Sequence, residues 1–93
     1  MLDIKTILML EKNIILRSIG KKYWALDTSN GNQYRLNEVS YFILELFHQP
    51  LSIEKAMEPV LKEYDVERER LIADCENLWQ FAVSRKILKE VSA

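Results

Sequence analysis

The sequence predicts an α+β fold, a three-stranded antiparallel sheet followed by three helices. Three observations carry this reading. The first third consists of short alternating runs separated by turn signals, and the remainder places apolar residues at helical spacing. The change of period falls at Leu36-Asn37.

Ile14 to Ile19 is rich in β-branched residues and stops at Gly20-Lys21, a pair suited to a tight hairpin turn. Lys22 to Asp27 alternates next, placing Trp24 and Leu26 on one face. Thr28-Ser29-Asn30-Gly31 is a turn signal, because Asn and Gly tolerate positive φ. Asn32 to Leu36 alternates again, with Tyr34 and Leu36 on one face and Gln33 and Arg35 on the other. Thr6 to Leu10 either extends this meander or adds a strand.

Asn37 is suited to cap the first helix, with Leu36 and Tyr41 in the staple positions on either side. Val39, Phe42, Ile43, Leu46 and Phe47 form its apolar stripe, and Gln49-Pro50 ends it. Ser52 caps a second helix whose stripe is Ile53, Ala56, Met57, Val60, Leu61 and Tyr64. Pro59 lies inside that span and predicts a kink or an early break. A third helix starts near Glu67 and carries Leu71, Ile72, Cys75, Leu78, Trp79, Ala82 and Val83, a stripe wide enough to touch two surfaces. Ile87 and Leu88 are expected to form a short closing segment. Three short helices beside a β-ribbon make the layout winged helix-turn-helix-like.

Ninety-three residues allow one domain with a single modest core. The net charge of -1 gives no general attraction to nucleic acid or anionic membrane. Cys75 is the one cysteine and cannot close an intrachain disulfide, which fits a reducing compartment. Glu11, Lys12 and Asn13 interrupt the apolar N-terminal runs, and Asp3 stands where a signal peptide carries positive charge. A cytoplasmic protein without a membrane span is therefore expected.

No residue arrangement supports catalysis. His48 is the only histidine and lies at a helix end, where a solvated or capping role is expected, and zinc lacks a ligand set. Cys75 sits within the third helix's apolar stripe, the setting of a buried structural thiol. With only Gly20 and Gly31, no glycine-rich phosphate loop exists, and no cofactor is expected. A non-enzymatic interaction role follows.

Two interaction readings compete. A winged helix can read DNA through a helix in the major groove. Here the third helix opens with Glu67, Arg68, Glu69 and Arg70 and continues with Asp74 and Glu76, a poor surface for phosphates. Arg17, Lys21, Lys22 and Arg35 lie near the strands and Arg85, Lys86 and Lys89 near the C-terminus, so a joint basic patch keeps DNA as the alternative. The other reading uses the sheet edge, whose unpaired amides can accept a further strand. About four main-chain bonds, each worth about 1 kcal/mol net, supply about half of the roughly 8 kcal/mol of a micromolar complex. Apolar pockets must supply the rest, and Leu71, Ile72, Cys75 and Trp79 cannot all point in one direction.

The order of motifs resembles the PqqD-like family of recognition elements for ribosomally made, post-translationally modified peptides. Leu26-Asp27 and Gly31 match its LD-x-x-x-G hairpin, and Leu36-Asn37 its LN junction. The Phe42 to Phe47 helix, the Leu51 to Glu54 helix start and the Tyr64 to Glu67 joint follow in order. A last helix with Leu71, Asp74, Cys75, Leu78 and Trp79 completes a match over about residues 14–88. The chain departs from the family at Gln49 and Lys86, where glycine is frequent, and these departures bear on turns more than on the site.

The resemblance implies that a precursor leader peptide binds as an added antiparallel strand on the third strand, beside the third helix. Carried over by position, the strand contacts are Gln33, Tyr34 and Arg35, and the helix contacts come from Arg68, Leu71, Ile72, Cys75 and Trp79. Arg35 and Arg68 are expected to pair with acidic leader residues. A proline at Gln33 or Tyr34 is expected to abolish binding. The length fits a stand-alone member that also meets a separate modifying enzyme: a radical-SAM enzyme, a leader peptidase of a lasso-peptide pathway or another maturase.

Overall fold

The computed structural model describes residues 5–64 and 67–91. The strands are β1 (Ile7–Leu10), β2 (Ile14–Ile19), β3 (Lys22–Asp27), β4 (Gln33–Leu36), β5 (Leu51–Ser52) and β6 (Leu88–Glu90). The helices are α1 (Glu38–Glu45), α2 (Ile53–Glu63) and α3 (Arg68–Ser84), and a 3-10 turn at Leu46–His48 follows α1.

The expected meander forms one sheet, β2-β3-β4, with β4 at an edge. Ile19 pairs with Lys22, so Gly20-Lys21 makes the tight turn, and Gly20 takes φ 61° as a turn of that size requires. The Thr28 to Gly31 turn is organised by the buried Asp27. Its Oδ1 accepts from the Ser29 hydroxyl at 2.6 Å, the Asn13 side-chain amide at 2.6 Å and the Ser29 backbone N–H at 2.9 Å.

These bonds, led by the Ser29 hydroxyl, hold the Asp27 carboxyl below its ordinary pKa against the opposing effect of burial. A depressed folded-state pKa contributes stability that is present above the unfolded value, about 3.9. That contribution disappears as pH falls through the folded value. Asp27→Ala is therefore expected to lower stability at pH 7. The difference from the parent should narrow in urea melts run below about pH 3.9.

Thr6 to Leu10 does not extend the meander. β1 instead forms the centre of a second antiparallel sheet, ordered β5-β1-β6, with Leu8 and Leu10 turned into the core. Leu8 pairs with Leu51 on one side and with Glu90 on the other. The closing segment expected at Ile87-Leu88 supplies β6, and both residues are buried. The layout thus keeps the α+β, winged-helix-like plan and adds a sheet that joins the beginning of the chain, the α1–α2 junction and the end of α3.

The helix boundaries follow their caps. Asn37 Oδ1 accepts from the Ser40 N–H at 2.7 Å, and Ser52 Oγ from the Lys55 N–H at 3.2 Å. Pro59 does not break α2, so of the kink or early break expected from sequence the break is absent. The amide bond it removes would have ended on the Lys55 carbonyl, and Lys55 lies at the exposed surface where water can satisfy it. Ala56, Met57 and Val60 are buried around Pro59 and hold the helix against the core.

The end of α3 explains one departure from the family pattern. The Lys86 N–H donates to the Val83 carbonyl at 3.1 Å and the Ile87 N–H to the Ala82 carbonyl at 2.8 Å, a Schellman cap. The cap puts Lys86 at φ 60°, in the left-handed region that favours glycine. Lys86→Gly is expected to raise stability by about 1 kcal/mol, read as a higher urea midpoint at unchanged slope. Gln49 has φ -123° and makes no such demand.

Buried side chains from both sheets and all three helices form one core cluster. Phe47, Leu8, Ile43, Leu44, Ile53 and Ile87 are among its fully buried members. Among the described residues no helix is long and apolar enough to cross a membrane.

Candidate peptide-binding site

The site is built on the free edge of β4. The Asp27 N–H donates to the Asn32 carbonyl at 2.9 Å, so Asp27 and Asn32 form a hydrogen-bonded pair. In an antiparallel ladder such pairs alternate. The β3–β4 register then makes Ala25–Tyr34 and Tyr23–Leu36 the bonded pairs. Gln33 and Arg35 sit in the alternate, non-bonded pairs, and their N–H and C=O groups point away from β3. The edge thus offers two donors and two acceptors to another chain.

Beyond that edge lies a cleft of about 770 Å³ between β4 and α3. Its floor is apolar, with Leu36, Val39, Ile43, Leu71, Cys75 and Leu78. Arg35, Arg70, Asp74 and Asn77 supply polar groups at its sides. Tyr34 and Phe81 meet edge to face across one end, with ring centroids 6.0 Å apart. Tyr64 lines the cleft and packs edge to face on Phe42, 5.6 Å between centroids.

Of the residues expected from sequence, Arg35, Leu71 and Cys75 line the cleft, and Gln33 and Tyr34 lie on the strand that borders it. Arg68, Ile72 and Trp79 do not line it. Helix geometry gives the reason. Successive residues turn by about 100°, which places Ile72, Arg68 and Trp79 on one flank of the Leu71–Cys75–Ala82 line and Arg70, Asp74, Asn77 and Phe81 on the other. The second flank faces β4. Trp79 is only 2% exposed and belongs to the core, so it is not a wall of the cleft. Sequence reasoning missed Arg70, Asp74, Asn77, Leu78 and Phe81 as cleft residues. One signal was available: Phe81 is a large aromatic outside the core stripe, and it remains exposed.

Burial pushes the Cys75 thiol up to about 11, with the Asp74 carboxylate adding to the effect. A thiol of that pKa is a floor residue and a poor nucleophile. Native protein at pH 8 is expected to react with a disulfide reagent at least tenfold more slowly than urea-unfolded protein. Equal rates would contradict this burial. His48 lies at the surface, with Nε2 3.2 Å from Glu45 Oε2. No group of three or more potential metal-ligating side chains converges among the described residues.

Fold and site together define a small α+β domain with an open sheet edge beside an apolar cleft. The family model described as "Coenzyme PQQ synthesis protein D (PqqD)" matches residues 7–88, and the chain belongs to this family. The match begins earlier than the region expected from sequence and takes in β1. The fold is similar to a solved structure described as "TbiB1 in Complex with the TbiA(beta) Leader Peptide", with a TM-score of 0.76. That likeness covers 91% of this chain and 99% of the other at 16% identity. A search of curated proteins returns no significant match.

Proposed function

We propose that this chain is a non-catalytic recognition element that binds the leader of a ribosomally synthesised precursor peptide and presents it to a separate modifying enzyme. The leader adds to β4 as an antiparallel strand and lays alternate side chains into the cleft against α3. One observation carries this reading: the outward main-chain groups of Gln33 and Arg35 border an apolar cleft. Family membership supports it, as does a similarly folded protein described in complex with a leader peptide. The proposed contacts are Gln33, Tyr34, Arg35, Leu71 and Cys75, with Arg70, Asp74, Asn77, Leu78 and Phe81 added from the cleft lining.

The partner enzyme belongs to one of the maturase classes considered above, a radical-SAM enzyme, a lasso-pathway leader peptidase or another modifying enzyme. The test is titration of the purified protein with synthetic leaders of small precursor peptides encoded beside its gene. Trp24, half-buried on β3 next to Arg35, is the proposed fluorescent reporter. Saturable micromolar binding to one leader, lost when its sequence is scrambled, is expected. Failure of every leader, together with salt-sensitive binding to duplex DNA, would replace this reading with a DNA-binding one.

A further inference from the structure

The surroundings of Arg35 give the added strand a chemical pattern. On the outer face of the β2-β3-β4 sheet, cross-strand pairing aligns Arg17, Trp24 and Arg35 in one row. The Arg35 guanidinium lies over the Trp24 ring, 5.3 Å from its centroid, which holds the charge in place at the edge. Neither ion pair found among the described residues involves Arg35. Arg35 and Lys21 border a second hollow at this corner, where Glu38 is the one acidic lining residue.

A strand added to β4 continues that row. Its residue opposite Arg35 forms a hydrogen-bonded pair and sends its side chain to the same face, with Cα atoms about 5.5 Å apart. The residues before and after it point to the other face, opposite Leu36 and Tyr34. Behind Leu36 lie Ile43, Leu71, Cys75 and Leu78, and beside Tyr34 lies Phe81.

We infer that this edge selects a peptide with three successive residues: an aliphatic one over Leu36, an acidic one opposite Arg35, and an apolar or aromatic one over Tyr34. The order follows from an antiparallel strand, which passes Leu36 before Tyr34. The inference rests on the proposed strand addition and names the substrate class that the edge takes.

The test uses the full chain and fluorescein-labelled dodecapeptides with Leu-Glu-Phe centred in a Ser/Thr/Gln background. Three controls replace the centre by Leu-Gln-Phe, Leu-Lys-Phe or Ser-Glu-Ser, and binding is followed by anisotropy. At low salt the Gln peptide is expected to bind about fivefold more weakly, as for an exposed ion pair. The Lys peptide should bind more weakly still, and the Glu–Gln difference should shrink in about 0.5 M salt. The Ser-Glu-Ser peptide should lose at least tenfold. Arg35→Gln should equalise the Glu and Gln peptides, and Arg35→Lys should preserve part of the preference. Equal affinities for Glu and Gln in the parent, or an unchanged preference in folded Arg35→Gln, would overturn the acidic selection while strand addition stands. Absence of saturable binding by every peptide would overturn both.

Discussion

A Gln33→Pro variant is expected to stay folded and to lose leader affinity by about tenfold or more. The Gln33 N–H points away from β3, so the substitution removes a donor from the open edge and leaves the β3–β4 bonds intact. The loss combines a main-chain bond worth about 1 kcal/mol with the obstruction of the proline ring. Each 1.4 kcal/mol or so is a factor of ten in affinity. Tyr34→Pro behaves differently. Tyr34 pairs with Ala25 in a bonded position, and its proline variant removes a ladder bond at the centre of the pairing. Of the two proline variants expected from sequence to abolish binding, only Gln33→Pro therefore isolates the edge contact, since Tyr34→Pro also disturbs the β3–β4 pairing. Circular dichroism and isothermal titration of the two variants check this, and native affinity in folded Gln33→Pro would count against an added strand.

Phe47→Ala is expected to cost about 3–5 kcal/mol, the range for removing a large aromatic from a packed core. Phe47 has no exposed surface and sits in the 3-10 turn between α1 and β5, where the cluster joins the helices to the second sheet. A chain of 93 residues has a total stability of roughly 5–14 kcal/mol. The variant therefore approaches the limit of folding. A Tm lowered by about 12 °C or more in thermal melts is the expected reading. A drop of only a few degrees would mean that neighbouring side chains refill the cavity.

The parts of this fold that local chemistry specifies were legible in the sequence. Asn37 and Ser52 cap the helices assigned to them because a side-chain oxygen three residues before a free amide has few alternatives. Gly20 and Gly31 mark their turns through positive φ. The second sheet was not legible as such, because β1 pairs with a two-residue and a three-residue strand far away in the chain. Neither segment is long enough to show a period. The early break at Pro59 is absent because the rule against proline weighs the lost bond and ignores the burial of Ala56, Met57 and Val60.

The candidate site divides in the same way. Gln33 and Arg35 were readable as one face of an edge strand, since a period of two fixes which residues alternate. The rotation of α3 about its axis was not readable. The stripe from Leu71 to Val83 is broad, and its two flanks are equivalent until β4 is in place. Arg68, Ile72 and Trp79 were taken from one flank, whereas the cleft uses Arg70, Asp74, Asn77 and Phe81 from the other.

Strand addition at β4 can be read residue by residue from amide hydrogen exchange. The protein would be followed by NMR with and without a saturating leader. The Gln33 and Arg35 amides are expected to gain protection of about tenfold or more, while Tyr34, already bonded to β3, changes little. Unchanged exchange at Gln33 and Arg35 under saturating leader would contradict strand addition.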